Sequence, residues 1–411
     1  MKQQFQIIEG VLIQRRVRLV LAALAISVVG DGAAKVALLL RVHDSGAGAA
    51  GLAVMLVLFA LPLVLLAGVA GALADRRNPR PVLVGAAAVQ LIAAAALAAR
   101  TDLVSTGVGV LVLQTGFALA NSAWVVALPG LVEDEHVGAI VSLHHAVLGL
   151  ATPVGAALGG AVVQRWGDSA PFVLDAVSFL PLLAAGLLIR PGHVRDSLAA
   201  RPRWRHRVLY AALPLDGIAA LRNQPLLGAL TAAFLPFIVA LESVNAVEVF
   251  LVKDVLGGTS GQFGLSEGIA GVAAVAGALL AAAVRTTVAR ARAIIIALGA
   301  ISVVQIAQGM APGLIVYILL AAAVGLLLGG ANALVMTLMV TATDPATRGR
   351  VVAFVGGAAR SCTLIALAAG GVLGTIVGPR TAFVIVGVVG LGIAVAAGVA
   401  LRPRLRVAVS V

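Results

Sequence analysis

Twelve long apolar runs alternate with short polar breaks along the 411 residues, at approximately 17–42, 47–73, 81–100, 103–131, 137–165, 169–189, 226–252, 260–284, 293–311, 313–341, 349–377 and 381–401. Each is long enough for the roughly 20 residues that cross a bilayer as a helix. Hydrophobic residues make up 61% of the chain and charged residues 11%, against about a quarter charged in a soluble domain. The pattern predicts an all-α membrane protein with twelve transmembrane helices.

Charge placement then sets the topology. Of 29 Lys and Arg, 22 fall at the N-terminus, between runs 2 and 3, in the central polar segment, after run 8, before run 11 and at the C-terminus. Only Arg41, Arg100, Arg165, Lys253 and Arg380 fall in the alternate loops, and Lys35 and Arg360 lie within runs. Basic residues collect on the cytoplasmic side, so both termini are expected there. The net charge of +12 is accounted for by topology and attraction to anionic lipid, and no nucleic-acid partner is expected. Met1 to Arg16 is charged and precedes a full-length run without a small-residue cleavage site, so no removable signal peptide is expected. Cys362 is the one cysteine and lies in an apolar run, which excludes an internal disulfide and a cysteine metal cluster. Arginine outnumbers lysine 26 to 3 against an Ala, Gly and Val background, as in proteins of GC-rich bacteria.

The runs divide into two sets of six. Residues 191–224 are the one sizeable polar segment, and they read as a cytoplasmic linker between an N-terminal bundle, 1–190, and a C-terminal bundle, 225–411. Within the linker Leu215, Ile218 and Leu221 recur at helical spacing after Pro214, the pattern of a short amphipathic helix on the membrane surface. Sliding the chain by 211 residues places Gly159-Gly160, Gly167 and Phe172 on Gly370-Gly371, Gly378 and Phe383, and Asp31 on Glu242. With a two-residue insertion Gly51-Leu52 falls on Gly264-Leu265. Two pseudo-symmetric six-helix bundles follow.

The break between runs 2 and 3 reads Gly71-Ala72-Leu73-Ala74-Asp75-Arg76-Arg77-Asn78-Pro79-Arg80. It resembles the loop signature of the major facilitator superfamily, with Gly71, Leu73, Ala74, Asp75, Arg76 and Arg80 matching and Asn78 and Pro79 departing from it. Pro129-Gly130-Leu131-Val132, Gly155 to Gly160, Phe172 to Phe179, Asp216-Gly217 and Arg348-Gly349-Arg350-Val351 narrow the resemblance to the bacterial exporter branch that includes the enterobactin exporter and macrolide efflux proteins. It covers essentially the whole chain. The resemblance implies the major facilitator fold and efflux driven by proton antiport. Gly155-Ala156-Ala157-Leu158-Gly159-Gly160 is similar to the antiporter signature of helix 5, with its proline displaced to Pro153, whereas Val112 stands where proton-coupled members carry a helix 4 arginine. The resemblance further implies a cytoplasmic gate at which Asp75, with Gly71, Arg76 and Arg80 of its loop, meets the helix start around Arg348 and Arg350. At the pseudo-symmetric contact the polarity is reversed, with Arg285, Arg290 and Arg292 offered to Glu133, Asp134 and Glu135.

A charge at a span centre costs about 2.5 to 3.5 kcal/mol on insertion scales, so those present are expected to be paired or to face water. Asp31 and Lys35 stand i, i+4 on run 1, within reach of each other on one helix face. Two readings stand: a self-neutralised pair, or a carboxylate that alternates between a cation and a proton, as antiport requires. Glu242 has no basic neighbour within a turn, and Arg360 or Lys35 is its candidate partner. Asp31, Glu242, Lys35 and Arg360 are thus the candidate coupling residues. Glu248 and Glu267, with Asn121, Trp124 and Asn332, are candidates for a solvated substrate cavity, with packing and interhelical hydrogen bonding as the alternative for the amides and the tryptophan. Asp175 lies toward the outer end of run 6. His144 and His145 suit either proton transfer or a packed, water-linked role.

No G-x-S-x-G, phosphate-binding G-x-x-x-x-G-K-S/T or H-E-x-x-H motif occurs, so no enzymatic activity, cofactor or metal is expected. The sequence reads as a monomeric, proton-coupled exporter of a small amphipathic molecule in a bacterial plasma membrane, a drug or antibiotic first and a siderophore as the alternative substrate. A non-transporting sensor or scaffold is the alternative of another class.

Overall fold

The computed structural model describes residues 14–66, 78–189 and 224–407, together with Leu73, Ile218 and Leu221. Every long element among them is helical: α1 Arg15–Asp44, α2 Gly48–Leu65, α3 Pro79–Ala99, α4 Leu103–Ala127, α5 Val137–Trp166, α6 Ala170–Leu188, α7 Pro225–Ser243, α8 Ser260–Ala281, α9 Thr287–Gly309, α10 Leu314–Thr341 and a final helical stretch, Pro345–Val407. That last stretch turns at Gly378 (φ 75°) and is two helices, α11 (345–377) and α12 (379–407). Among the described residues, eleven helical segments are long and apolar enough to cross a membrane, the last of them containing this turn. Backbone polar groups in lipid must be satisfied within the segment, which is why the apolar runs are helical wherever they are described.

Most helix ends carry a readable signal. Asp102 caps α4 by accepting the Ser105 N–H at 2.8 Å, a bond that holds its carboxyl below the ordinary carboxylate range. Thr259 and Gln262 form a reciprocal capping box at the start of α8. Asn78, where the loop signature has glycine, caps α3 through the Arg80 N–H at 3.1 Å. α11 begins at Pro345, directly after Asp344. α9 begins at Thr287 under a Thr286 cap, six residues before the apolar run, because Arg290 and Arg292 are polar yet helical. Gly167, between α5 and α6, has φ 84° and its 211-residue equivalent Gly378 has φ 75°. A side chain is strained in that left-handed region, so glycine turns the chain at both places.

Contacts gather the chain into two compact units, the described residues of Met1–Arg41 with Leu58–Leu209, and of Val42–Val57 with Tyr210–Val411. Helices surrounded by lipid gain little from hiding apolar surface and depend on close backbone approach at small residues. In the first unit α5 lies on α1 through Gly155 and Gly159: a Cβ on Gly155 would stand 2.2 Å from the Val29 carbonyl oxygen, and one on Gly159 2.6 Å from Ala33 Cα. In the second unit Gly370 of α11 meets α7 in the same way, its would-be Cβ 1.9 Å from Ser243 O. The repeat-related Phe172 and Phe383 are each 1% exposed, one in each unit. The amphipathic stretch of the linker lies outside the described residues apart from Ile218 and Leu221, and run 2 beyond Leu66 is described only at Leu73.

Candidate functional site

Asp31 falls near the middle of the 30-residue α1. It shares one helix face with Lys35 and Leu38, and these three line a cavity of about 10 Å³ with Phe59, Gln114 and Phe172, the scale of a single water. The acid and the amine thus share one small polar pocket. Behind it, Asp175 on α6 is fully buried, and neither of its carboxylate oxygens has a hydrogen-bond partner.

Arg41, counted in the sequence as an outer-loop cation, is 4% exposed. Its Nε donates to Asp168, Nη1 to the carbonyls of Leu97 (2.8 Å) and Arg100 (3.1 Å), and Nη2 to Ser169 Oγ (3.3 Å). The guanidinium also lies 4.4 Å over the Phe172 ring. One planar fork therefore ties the end of α1 to the end of α3 and the start of α6. Sequence reasoning missed it because its partners lie 56 to 128 residues away and no local pattern marks them.

In the second unit α7 stops at Ser243, whose hydroxyl donates to Val239 O at 2.6 Å, a back-bond that weakens helices locally. A 3-10 turn, Val244–Ala246, then a single helical turn and a π turn, Leu251–Val255, carry the chain outward. Glu242 at this break accepts from Asn245 Nδ2 at 2.6 Å. Glu248, expected to be a solvated vestibule residue, is half-buried and accepts from Tyr317 Oη at 2.6 Å, and that tyrosine is fully buried. A phenol sealed in the core needs an acceptor, and Glu248 supplies it. Glu267, half-buried on α8, lies near the same tyrosine.

The remaining sequence candidates are placed as follows. Trp124 is 3% exposed in the core of the first unit, and Asn121 is half-buried. His144 is buried beside exposed His145, with ring centroids 5.7 Å apart. Asn332 and Arg360 are exposed, and Arg360 forms no ion pair among the described residues. Glu133, Asp134 and Glu135 are exposed, and Asp134–His136 is a 3-10 turn leading into α5. Arg285, Arg292 and Arg350 are exposed, Arg348 Nη2 donates to Thr343 O at 3.5 Å, and Arg290 donates to Val284 O and Thr341 Oγ1. Arg80 is half-buried at the start of α3. Gly71, Asp75 and Arg76 lie outside the described residues.

The fold is shared with solved transporters. A variant of the nucleoside transporter NupG matches with a TM-score of 0.72 at 14% identity, over 93% of this chain and 99% of that one. A POT family transporter in complex with a thioalcohol-conjugated peptide matches at 0.71 and 12%, over 95% and 96%. A bacterial homolog of the human lysosomal transporter Spinster matches at 0.71 and 12%, over 95% and 98%. No curated protein matches the chain. The family model described as Major Facilitator Superfamily matches residues 20–306. Helical architecture, apolar spans and family match agree, and the chain belongs to the Major Facilitator Superfamily, a multi-pass integral membrane protein that is a secondary active transporter and not an enzyme.

Proposed function

We propose that the chain exports a small amphipathic molecule from a bacterial cytoplasm in exchange for protons, by alternating access. The observation that carries this reading is the pocket shared by Asp31 and Lys35 in the middle of α1. A carboxylate that releases a cation and takes a proton in its place changes the charge of its pocket by one, and a substrate or a conformational step can be linked to that change. Glu242, at the repeat-equivalent position and at the break of α7, is the corresponding acid of the C-terminal half.

The basic-residue distribution supports two cytoplasmic termini, with halves 1–190 and 225–411 joined by a cytoplasmic segment, 191–224. The sequence stretches shared with macrolide efflux proteins support a drug or antibiotic as substrate. The same stretches are shared with the enterobactin exporter, which makes a siderophore the second substrate class. Siderophore biosynthesis genes beside this one would favour that second class.

The test is accumulation of a fluorescent amphipathic dye in everted membrane vesicles whose lumen is acidified. Uptake should collapse with a protonophore and in an Asp31→Asn, Glu242→Gln double variant, while downhill binding remains. Uptake that survives either treatment would overturn the proton-coupled reading, and absence of any uptake across a panel of dyes would leave a non-transporting sensor or the siderophore class.

A further inference from the structure

Asp175 is the group the proposed coupling chemistry has not used. It sits on the second turn of α6, fully buried, with both carboxylate oxygens unpartnered. The adjacent hydroxyl, that of Ser178, donates instead to the Asp175 backbone carbonyl at 2.6 Å. Residue 30 of α1 is glycine, and a Cβ there would stand 2.7 Å from Asp175 Oδ1 and 2.5 Å from Ser178 Oγ. The missing side chain lets the carboxyl rest against the α1 backbone one residue from Asp31. Phe172, one helical turn before Asp175, is a wall of the cavity that holds Asp31 and Lys35.

An ionised carboxylate buried this deeply, with no hydrogen-bond partner on either oxygen, is a state proteins avoid by neutralising the group. The titratable groups on the helices packed around α6 are Arg15, Arg16, Arg18, Asp31, Lys35, Arg41, His43 and Asp44 on α1, Arg80 on α3, and His144, His145 and Arg165 on α5. Arg41 is committed to Asp168, Ser169 and two carbonyls. Of all these groups, Asp31 is the one adjacent in the chain to Gly30, against which the Asp175 carboxyl rests. Two neighbouring carboxyls titrate as a pair, so ionising one raises the cost of ionising the other.

We propose that Asp31 and Asp175 together form a single proton-binding site in the N-terminal half, with Asp175 holding the proton in the structure described here. The site deepens the proton-exchange reading and rests on it for its role in transport. The step is a plain proton transfer: the O–H bond of Asp175 breaks, an O–H bond forms on the Asp31 carboxylate, and the charge left behind moves to Asp175. The cavity beside Asp31 is large enough for one relaying water. Lys35, on the face that carries Asp31, is the cation whose approach or withdrawal sets which carboxyl keeps the proton.

The test is infrared difference spectroscopy on the full-length protein in nanodiscs, following the C=O stretch of a protonated carboxyl and its shift in D2O, with ¹³C-labelled aspartate to assign it. The wild type should show a protonated aspartate band at neutral pH. Asp175→Asn should remove it, and Asp175→Glu should move it out of the ¹³C-aspartate set while keeping a protonated carboxyl, which guards against an asparagine variant that does not fold. Asp31→Asn should keep the band but move its titration midpoint by at least tenfold in proton concentration. Absence of the band in the wild type, its survival in Asp175→Asn, or a midpoint indifferent to Asp31 would each overturn the proposal. The measurement uses neither substrate nor gradient, so its failure leaves the dye experiment standing. Conversely, dye uptake indifferent to a protonophore would overturn the exporter reading and leave the band in place.

Discussion

His43 Nε2 lies 2.8 Å from Asp254 Oδ1, while its Nδ1 lies 2.7 Å from Asp44 Oδ1. Each imidazole nitrogen thus faces a carboxylate oxygen. Lys253 Nζ joins the group at 3.1 Å from Asp44 Oδ1 and 3.3 Å from Ser260 Oγ, and the Phe250 ring stands 5.1 Å from the imidazole. These contacts belong to the second unit, whereas Arg41, two residues earlier on the same helix, is anchored in the first. Each exposed pair contributes about 0.2 to 1 kcal/mol, few enough to be broken in a transport cycle. We predict that joining positions 43 and 254 covalently stops transport. With cysteines at both positions and Cys362 replaced, a short bifunctional thiol reagent should abolish dye uptake while the unbridged pair still transports. Full transport by the bridged protein would mean that the contact persists through the whole cycle.

Much of the fold was legible because it depends on properties local in sequence. Apolar runs gave the helices, and the repeat paired Gly167 with Gly378, which both turn the chain, and Gly159 with Gly370, which both seat a helix against its neighbour. Helix ends were less legible where polarity and helicity part company, as at Arg290 and Arg292, which are helical though polar. The break of α7 after Ser243 was hidden inside one apolar run. Contacts over long separations were not legible at all: Tyr317 reaches Glu248 across 69 residues and Arg41 reaches Ser169 across 128. Asp175 was visible as an intramembrane charge, but its isolation depends on Gly30 and Ser178, which no spacing rule brings together.

The α1–α5 seam yields a prediction about stability. A Cβ on Gly155 would stand 2.2 Å from the Val29 carbonyl oxygen, too close for anything but separation of the two helices. Gly155→Ala should lower stability by about 1 to 3 kcal/mol, the usual cost of overpacking. Gly138→Ala, on the same helix with nothing within 4 Å of the added carbon, should be neutral or stabilising, since alanine is the better helix former. Thermal unfolding of the two variants in one detergent checks this. Equal transition temperatures would mean that the seam relaxes without cost.

The buried phenol gives a third prediction. Tyr317 is fully buried, and its hydroxyl donates to Glu248 at 2.6 Å. A hydrogen bond to a carboxylate contributes about 1.5 to 3 kcal/mol, so Tyr317→Phe should lower stability by that amount while keeping the packing against Phe383, whose ring centroid is 6.3 Å away. Glu248→Gln retains an acceptor for the phenol and should cost less than Tyr317→Phe. Denaturation of both single variants and the double variant measures the coupling. A Tyr317→Phe protein as stable as the wild type would show that the bond contributes nothing.

Arg290 separates a packing role from a gating role. In the first turn of α9 its Nε donates to Val284 O at 2.9 Å and its Nη1 to Thr341 Oγ1 at 3.3 Å, which ties the α8–α9 turn to the end of α10. If packing is its whole role, Thr341→Val should reproduce part of the loss of about 0.5 to 1.5 kcal/mol expected for Arg290→Ala. The double variant should then be less than additive, because the two residues share one bond. The gate expected from the sequence would add a second role, in which Arg290 meets Glu133, Asp134 and Glu135 once per cycle. Those three acids are exposed, so replacing them by their amides should leave stability within about 0.5 kcal/mol, as for most surface changes. We expect the triple amide variant to reproduce the transport loss of Arg290→Ala without its loss of stability. We also expect cysteines at positions 290 and 134, with Cys362 replaced, to crosslink and stop transport. A triple variant that transports normally, alongside a Thr341→Val protein that carries the entire Arg290→Ala defect, would make Arg290 a packing residue and remove it from the gate.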